Sequence, residues 1–461
     1  MFVMRILFTL SFVVHWVAAA AQWTNFCPNQ TTNGTVVDFA EWNGQLVATG
    51  FFNKICNTNA QYIARWDGND WQAFGTGLSD EGHALEVIEN ELYVAKYQLA
   101  ADSNWLLKWN GSSFQKIGPA LWHTNPDPSV QKTPSVYDVL RYQGQTFICG
   151  EFDRAGDQDI SGIARWNGTS WDALGAGLSG NIPNTAPIMY PHQMTQFGND
   201  LIVCGNFLQA GGQTVNGIAR WDGAKWHPLG AGFNSTVYGV GVYKGELYAG
   251  GDFTKSGATT LQRIARWDGT AWVDAGLSFP NGSNPNSYIF VHTLREIGGK
   301  LFIAGGLKKV SFGSGTTLAC NGIVAFDGQQ VDVLKNGISN GYDVEAIVPF
   351  GKGILIGAGI INAGYLATYD TSSSAVGEVV AKNDAFRLFP NPASELVFME
   401  KQNDQTLRFQ LFNAMGQLLQ SGEMNTRKAE ISLKDLPVGA YTLCLFSEEG
   451  RAASRVLLLR N

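Results

Sequence analysis

The chain has 461 residues, of which 15% are charged, 12% are aromatic and 54 are glycine, and its formal net charge is −7. This composition excludes a disordered or mainly helical protein and indicates an all-β chain rich in turns. The negative net charge and the lack of a basic stripe argue against a nucleic-acid partner.

Residues 1–21 have the pattern of a secretory signal peptide. Arg5 supplies the basic start, an apolar stretch runs from Ile6 to Val17, and four alanines at 18–21 provide a small-residue cleavage site. The apolar stretch is too short for a membrane span, and no other segment qualifies. We expect an exported mature chain that begins near Gln22 and has no transmembrane segment.

Six cysteines are scattered along the chain, which argues against a disulfide framework. Cys27 and Cys56 flank the first of the repeats described next, so one bridge that straps the N-terminus is a candidate. Cys149 and Cys204 occupy the same register in neighbouring repeats, which favours buried free thiols.

One six-residue pattern, Ile-Ala-Arg-Trp-Asp-Gly, recurs along the chain. Its clearest copies begin at Ile63, Ile163, Ile218 and Ile264. Looser copies lie at 107–111, 324–328 and 367–370. The seven copies are spaced roughly 43–59 residues apart, which is the range of propeller blades. One copy is a small sheet that cannot bury its faces alone, so we expect the copies to stack around an axis.

Each repeat contains the pattern of four strands. In the fifth repeat these strands are 237–243, 246–251, 264–267 and one that begins at Trp272. The spacing of Trp267 and Trp272 predicts two indoles opposite each other across the last hairpin. The sequence therefore predicts an all-β, seven-bladed propeller of four-stranded blades over residues 22–380, with 375–380 as the last strand.

The order of strands within a repeat resembles kelch-type propeller repeats. The resemblance rests on an apolar first strand, a Leu-Tyr-Val-x-Gly-Gly-like second strand, a third strand and a fourth strand led by tryptophan. It implies a kelch-like propeller. Some galactose-oxidase-like enzymes use this fold with a copper site of Tyr and His, but no motif here identifies copper ligands.

The composition changes after Asp370. Residues 371–384, with Thr-Ser-Ser-Ser at 371–374 and Lys-Asn-Asp at 382–384, predict a linker. Short strands separated by Gly and Asn turns predict a small β-sandwich over 385–461. Its motifs are Phe-Pro-Asn-Pro-Ala at 389–393, Asn-x-x-Gly-Gln at 413–417 and Leu-x-x-Gly-x-Tyr at 436–441. They resemble the type A C-terminal sorting domain of the type IX secretion system of Bacteroidetes. The resemblance implies that this machinery recognises residues 385–461 and that the protein is secreted or attached to the outer-membrane surface.

The long connections between predicted strands meet at one end of the propeller. Functional residues often lie on such loops over a rigid scaffold, so we predict a ligand-binding face there. Its aromatic side chains have the amphipathic faces that stack on sugar rings. The candidate ligand-binding residues are Trp122, His123, Tyr137, Tyr190, His192, Tyr238, Tyr288 and His292. The alternative is that the loop aromatics only hold their own loops.

Alignment of the repeats places one residue of each at the start of the first strand, facing the channel. These residues are Val37, His83, Tyr137, His192, Tyr238, His292 and Glu345. Imidazoles with a carboxylate can hold a divalent metal, so His83, His192, His292 and Glu345 are candidate metal ligands. The three histidines come from alternate repeats across the channel, so a hydrated channel lining is the alternative.

No nucleophile elbow, phosphate loop or dinucleotide fingerprint is present, and the sequence identifies no catalytic residue. The leading hypothesis is a secreted or surface-attached propeller that binds a polysaccharide or an extracellular protein. The competing hypothesis is a metal-dependent enzyme that acts on glycans through the histidine register. A third is a structural surface protein. Apart from that metal, no cofactor is expected.

Overall fold

Every regular element that the computed structural model describes is a β-strand. The described residues are 23–27, 32–96, 106–123, 134–183, 185, 189–280, 289–313, 317–335, 337–338, 343–360, 363–370, 386–389, 396–401, 407–412, 418–424, 426–434, 436, 439–446 and 452–460. Residues 22–370 belong to one compact unit, and 371–461 belong to another. The predicted signal peptide and the predicted linker lie outside the described residues, which include no helix long and apolar enough to cross a membrane.

The described residues of the first unit form seven four-stranded antiparallel sheets, numbered here in chain order. Sheets 1 to 3 consist of Val36–Trp42, Gln45–Gly50, Ile63–Trp66 and Trp71–Ala73; Gly82–Ile88, Glu91–Lys96, Leu106–Trp109 and Phe114–Lys116; and Ser135–Tyr142, Gln145–Glu151, Ile163–Trp166 and Trp171–Ala173. Sheets 4 and 5 consist of Tyr190–Phe197, Asp200–Asn206, Ile218–Trp221 and Trp226–Pro228; and Val237–Tyr243, Glu246–Gly251, Ile264–Trp267 and Trp272–Asp274. Sheets 6 and 7 consist of Val291–Ile297, Lys300–Gly305, Ile323–Phe326 and Val331–Asp332; and Asp343–Phe350, Gly353–Ile360, Ala363–Tyr369 and Trp23–Asn25.

The seven sheets are arranged in a closed ring. The first strand of each sheet contacts the first strand of the next, and the first strand of sheet 7 contacts that of sheet 1. Second strands such as Gln45–Gly50 are buried at nearly every position, because a neighbouring sheet covers each face. The arrangement is propeller-like, as the repeats predict.

Four sheets contain the predicted pair of facing tryptophans. The ring centroids are 5.7 Å apart for Trp66–Trp71, 5.1 Å for Trp166–Trp171, 5.2 Å for Trp221–Trp226 and 5.3 Å for Trp267–Trp272. The indole N–H groups of Trp226 and Trp272 donate to carbonyls of the preceding sheet's last segment, those of Leu174 and Leu229. Each pair therefore packs its own hairpin, and two of them also join neighbouring sheets.

The outer strand of sheet 7 comes from the N-terminus of the unit. Trp23–Asn25 pairs antiparallel with Ala363–Tyr369. The sequence instead predicted residues 375–380 for this strand; they lie outside the described residues, and the N-terminal strand occupies the outer position. The repeat pattern misses this pairing because the two strands lie at opposite ends of the unit.

Residues just after this strand attach it to sheet 1. Cys27 and Cys56 form a disulfide with Cα atoms 5.3 Å apart. The ring of Phe26 packs against Trp66 of sheet 1 at 4.7 Å and against Phe350 of sheet 7 at 5.2 Å. A covalent bond and an aromatic cluster thus cross the junction that closes the ring.

The connections that follow the second strands form small hairpins that the sequence analysis did not predict. In sheets 3, 4 and 6 the hairpin also pairs with the segment that enters the sheet, which makes three-stranded sheets. These are Leu121–Trp122 with Arg154–Ala155 and Gln158–Asp159, Leu178–Ser179 with Gln209–Ala210 and Gln213–Thr214, and Leu277–Ser278 with Lys309–Phe312 and Leu318–Ala319. Two-stranded hairpins occur at Lys54–Ile55 with Thr58–Asn59 and at Lys255–Ser256 with Thr259–Thr260. This end of the ring is therefore built from ordered hairpins.

The described residues of the second unit form two antiparallel sheets. One orders Phe386–Phe389, Leu396–Lys401 and Lys428–Ser432, and the other orders Leu418–Met424, Leu407–Phe412, Gly439–Phe446 and Ala452–Arg460. Buried side chains of both sheets, including Val397, Ile431, Leu411 and Leu443, form one apolar cluster.

Candidate functional site

A β-bulge interrupts the first strand of all seven sheets at the same place. The pairing with the second strand shifts by one residue, and one residue of each first strand is left without a partner in the ladder. A bulge of this kind redirects a side chain. The seven bulge residues, here called the bulge ring, are Val37, His83, Tyr137, His192, Tyr238, His292 and Glu345.

All seven residues of the bulge ring line one cavity of about 480 Å³. The cavity follows the first strands along the axis, and the bulge ring lines it at the end where the hairpins are. The alignment of repeats selected these same seven positions, so the register was identified correctly without knowledge of the bulge.

The three imidazoles of the bulge ring lie close together although they come from alternate sheets. Ring centroids are 6.4 Å apart for His83 and His192 and 5.0 Å apart for His192 and His292. The channel is therefore narrow enough at this level for the histidines to contact one another. Glu345 joins the group, since its Oε2 lies 3.1 Å from Nδ1 of His292.

Burial keeps two of these imidazoles neutral. Burial lowers the pKa of His83 to about 4, although its Nδ1 lies 3.0 Å from the backbone oxygen of Tyr137. Burial and the neighbouring His292 and His83 hold the pKa of His192 well below its ordinary value. At neutral pH both rings are therefore uncharged, each with one N–H donor and one acceptor nitrogen.

Within the described ranges, no group of three or more His, Cys, Asp and Glu side chains is arranged to hold a metal ion. The fold brings the candidate ligands His83, His192, His292 and Glu345 to one cavity, but their hydrogen bonds are to protein groups. Glu345 is engaged with His292, and Nδ1 of His83 faces a backbone oxygen.

Aromatic rings fill the spaces between the imidazoles. Tyr137 stacks on His192 with an interplanar angle of 8° and a centroid distance of 5.9 Å. Tyr238 stacks on His292 at 27° and 6.1 Å, and Tyr190 lies 6.2 Å from Tyr137. The predicted ligand residues Tyr137, Tyr190 and Tyr238 thus belong to one cluster, and Tyr288 lies outside the described residues.

Two phenylalanines of this cluster were not found from the sequence. Phe51 lies 6.3 Å from His83, and Phe290 lies 5.5 Å from Tyr238. Phe51 directly follows the second strand of sheet 1, and Phe290 directly precedes the first strand of sheet 6. Phe290 lies two residues before His292 of the bulge ring. Phe51 follows Gly50, which pairs with Val36 beside Val37 of the bulge ring. These positions are the signal that could have located the two phenylalanines.

A second group of side chains lies between the bulge ring and the hairpins. The imidazole of His123 lies between Oε1 of Glu151 at 3.7 Å and Oδ2 of Asp153 at 3.8 Å. The hydroxyl of Tyr137 lies 3.5 Å from the carboxylate of Glu151. Trp122 precedes His123 and is 51% exposed. Through Glu151 these contacts connect His123 to Tyr137 of the bulge ring, and Trp122 is the neighbour of His123 in the chain.

Residues that follow the bulge connect the sheets from inside the channel. Carboxylate oxygens of Asp38 and Asp138 accept the backbone N–H groups of Leu85 and Met194 in the next sheet. Burial raises the pKa of Asp38 to about 6 and holds that of Asp138 well above its ordinary value. In sheet 5 the position is Gly239, where an added Cβ would lie 2.3 Å from a backbone oxygen. The residue that follows the bulge therefore contributes to the packing of neighbouring sheets around the axis.

The geometry of the described residues defines an all-β, propeller-like protein with a channel mouth lined by aromatic rings and imidazoles. Residues 387–458 match the family of secretion system C-terminal sorting domains. This match confirms the predicted sorting domain. A domain of this type implies export by the type IX secretion system, to the cell surface or into the medium.

Several solved structures are similar to the chain at low sequence identity. PorZ, an essential surface component of the type IX secretion system of Porphyromonas gingivalis, is 14% identical, with 93% of this chain and 59% of that chain covered and a TM-score of 0.46. The extracellular domain of BT4673 from B. thetaiotaomicron is 11% identical, with coverage of 95% and 58% and a TM-score of 0.45. A fungal alcohol oxidase of the AA5 family in complex with copper is 10% identical, with coverage of 96% and 100% and a TM-score of 0.44.

The chain spans less than two thirds of the length of PorZ and of the BT4673 domain. No curated protein matches the sequence significantly.

Proposed function

We propose that this protein is an exported, seven-bladed, kelch-like β-propeller that binds an extracellular polysaccharide at the bulge ring. In this proposal each of the seven sheets is a blade and residues 22–370 form the propeller. The two C-terminal sheets, which share one buried cluster, form the sandwich of the sorting domain. Residues 1–21 serve as the signal peptide, and the type IX machinery is the partner of residues 385–461.

The observation that carries the binding proposal is the convergence of all seven bulge residues on one cavity. A bulge costs ladder pairing, and here it occurs seven times at the same level, each time directing a side chain to the channel. The cavity walls combine stacked aromatic rings with neutral imidazoles, which offer both apolar faces and hydrogen bonds. A sugar unit has the same combination of apolar faces and hydroxyl groups.

An extracellular protein is the second candidate ligand, and a separate observation favours it. Among the described residues of the first unit, three large apolar side chains are strongly exposed: Phe51 at 38%, Leu318 at 43% and Trp122 at 51%. All three lie at the hairpin end of the ring. Exposed apolar groups gathered on one face are typical of interaction surfaces.

A binding screen with matched variants tests the proposal. The full chain is assayed against an array of extracellular glycans, with His192→Ala as the site variant and His227→Ala as the control. Both histidines belong to sheet 4, but His227 lies on its outer strand and pairs with Asp222. We expect glycan binding that His192→Ala weakens at least about tenfold and His227→Ala preserves, because the site variant removes a buried polar contact.

The other hypotheses are outcomes of the same screen. Binding that Trp122→Ala abolishes and His192→Ala leaves intact would support a protein-type surface and contradict the bulge ring. Turnover of a bound glycan together with stoichiometric metal would support the metal-dependent enzyme. The absence of any ligand would support a structural surface protein.

A further inference from the structure

Imidazoles of the bulge ring meet across the channel. His83, His192 and His292 belong to alternate sheets, so their side chains reach one another only over the channel axis. The ring centroids of His192 and His292 are 5.0 Å apart, and those of His83 and His192 are 6.4 Å apart. Aromatic rings at such distances are in contact, whatever the charge of His292. The space between these rings is therefore too narrow for a sugar ring to pass.

Two tyrosines extend this set of rings toward the channel wall. Tyr137 packs against His83 and His192, at centroid distances of 5.0 Å and 5.9 Å. Tyr238 packs against His192 and His292, at 5.5 Å and 6.1 Å. The five rings, here called the mouth floor, are all half-buried. They form one contiguous layer that spans sheets 2 to 6 at the hairpin end of the channel.

Three more aromatic rings border the mouth floor on the side of the hairpins. Phe51, Tyr190 and Phe290 each lie 5.5–6.3 Å from a ring of the mouth floor. Phe51 directly follows the second strand of sheet 1, Tyr190 begins the first strand of sheet 4, and Phe290 directly precedes the first strand of sheet 6. These ends of the strands adjoin the hairpins. The mouth floor is thus the bottom of a basin whose border is aromatic on several sides.

Polar groups connect this basin to an exposed tryptophan at the entry to sheet 3. Oε1 of Glu151 lies 3.7 Å from Nε2 of His123, and the other carboxylate oxygen lies 3.5 Å from the hydroxyl of Tyr137. Trp122 is adjacent to His123 in the chain and is 51% exposed. An indole, a carboxylate and the rings of the mouth floor thus follow one another toward the axis. Successive sugar units offer a matching alternation of apolar C–H faces and hydroxyl groups.

We propose that the polysaccharide lies across the mouth floor and is recognised through internal units of its chain, with Trp122 as an outer contact for units beyond the basin. A mouth blocked by contacting rings has no room for a chain end to enter the channel. A basin bordered by aromatic rings accepts a chain that enters and leaves over its border. This inference rests on the proposed function and specifies which part of the polymer is bound.

The number of protein molecules bound per polysaccharide molecule distinguishes internal binding from end binding. The full protein chain is titrated calorimetrically with the soluble polysaccharide that gives the strongest signal on the glycan array. Oligomers of two, four, six and eight units, made from it by partial hydrolysis and separated by size, are titrated in the same way. A matched set of oligomers whose reducing ends have been converted to alditols with borohydride shows whether that end is needed.

We expect several protein molecules to bind each intact polysaccharide molecule, because internal sites repeat along it. Affinity should rise at least about tenfold from two to six units, since longer oligomers stack on more rings, and should not change on reduction of the end. One protein molecule per polysaccharide molecule, or binding that is lost on reduction, would overturn the inference while the proposed function stands. If no glycan on the array binds, both fail.

Variants of Trp122 test the outer contact with oligomers of different length. Trp122→Ala should weaken binding of the eight-unit oligomer at least about fivefold and leave the two-unit oligomer unaffected, because the short oligomer lies within the basin. Trp122→Phe, which keeps a ring, should retain most of the affinity. The control is Gln158→Ala, which removes an exposed side chain from the outer strand of the same small sheet and should change neither oligomer. Equal losses for both lengths, or no loss, would overturn the role of Trp122.

Discussion

The indole N–H of Trp272 donates to the backbone carbonyl of Leu229 at 3.0 Å, across the interface between sheets 5 and 4. Trp171 occupies the equivalent position in sheet 3, equally buried, but its indole nitrogen has no hydrogen-bond partner among the described residues. Two tryptophans in the same structural position thus differ in one hydrogen bond.

This difference predicts unequal costs for the same substitution. Trp272→Phe and Trp171→Phe delete the same atoms from similar environments, but only Trp272→Phe leaves the Leu229 carbonyl without its donor. We expect Trp272→Phe to lower the free energy of unfolding by about 1 kcal/mol more than Trp171→Phe does. Urea denaturation of both variants measures it, and equal losses would show that the hydrogen bond contributes nothing net.

Reduction of the Cys27–Cys56 disulfide should destabilise the first unit. The bond links residues 29 positions apart and holds the ring-closing strand to sheet 1. Loop-closure entropy predicts a loss of about 3–4 kcal/mol when it is removed. Denaturant unfolding is measured with and without reductant, and Cys27→Ser/Cys56→Ser serves as the control that reductant should leave unchanged. A wild-type protein whose free energy of unfolding does not change with reductant would contradict the prediction.

Two sets of buried groups should give opposite pH dependences of stability. Burial raises the pKa of Asp38 from 3.8 to about 6 and that of Glu86 to about 7. The protonated forms of these two carboxyl groups therefore stabilise the folded state. Their contribution to the free energy of unfolding is complete below the unfolded-state pKa values and is lost as the pH rises toward 7. Burial lowers the pKa of His83 from 6.5 to about 4, so its contribution is present above pH 6.5 and is lost as the pH falls toward 4.

Removal of the histidines should therefore expose the carboxyl contribution. We expect the free energy of unfolding of the His83→Asn/His192→Asn variant to rise as the pH is lowered from 6.5 to 5. In the wild type the contributions of the carboxyl groups and of the histidines oppose each other over this range. Denaturant titrations at several pH values give the slopes. His227→Asn, which changes an exposed ion pair with Asp222, should keep the wild-type slope. Identical slopes in all three proteins would refute the assignment.

The bulge ring should not retain a transition metal through purification. The described side chains include no group of three or more arranged as metal ligands, and Glu345 is already engaged with His292. We expect plasma mass spectrometry to find substoichiometric metal in the wild type and in a His83→Ala/His192→Ala/His292→Ala variant alike. Near-stoichiometric metal in the wild type that is lost in the variant would reverse this conclusion in favour of the enzyme hypothesis.

The repeat pattern predicted the strands of the propeller-like unit well, because each sheet is local in sequence. Val237–Tyr243 and Glu246–Gly251, for example, lie where the fifth repeat placed its first two strands. The pattern failed for the outer strand of sheet 7, which pairs Trp23–Asn25 with Ala363–Tyr369. Three residues without a repeat motif carry no local signal for a partner so distant in the chain.

The sequence predicted which residues of the candidate site occupy equivalent positions in the repeats, but not which of their side chains are in contact. Counting from the second-strand glycines found His83, His192 and His292, but strand periodicity cannot reveal a bulge that turns all three toward one point. The stacking of Tyr137 on His192 and the pairing of His292 with Glu345 depend on how neighbouring sheets rotate against each other. That rotation depends on the assembled ring, so the sequence of a single repeat does not predict it.

The strand at residues 23–25 also sets an order of events during biosynthesis. Its partner, Ala363–Tyr369, is made last among the strands of the first unit, so the ring cannot close until the ribosome has synthesised almost all of it. Until then the ring is open between sheets 7 and 1. The Cys27–Cys56 bond does not wait for this closure, because its two cysteines lie 29 positions apart near the start of the unit.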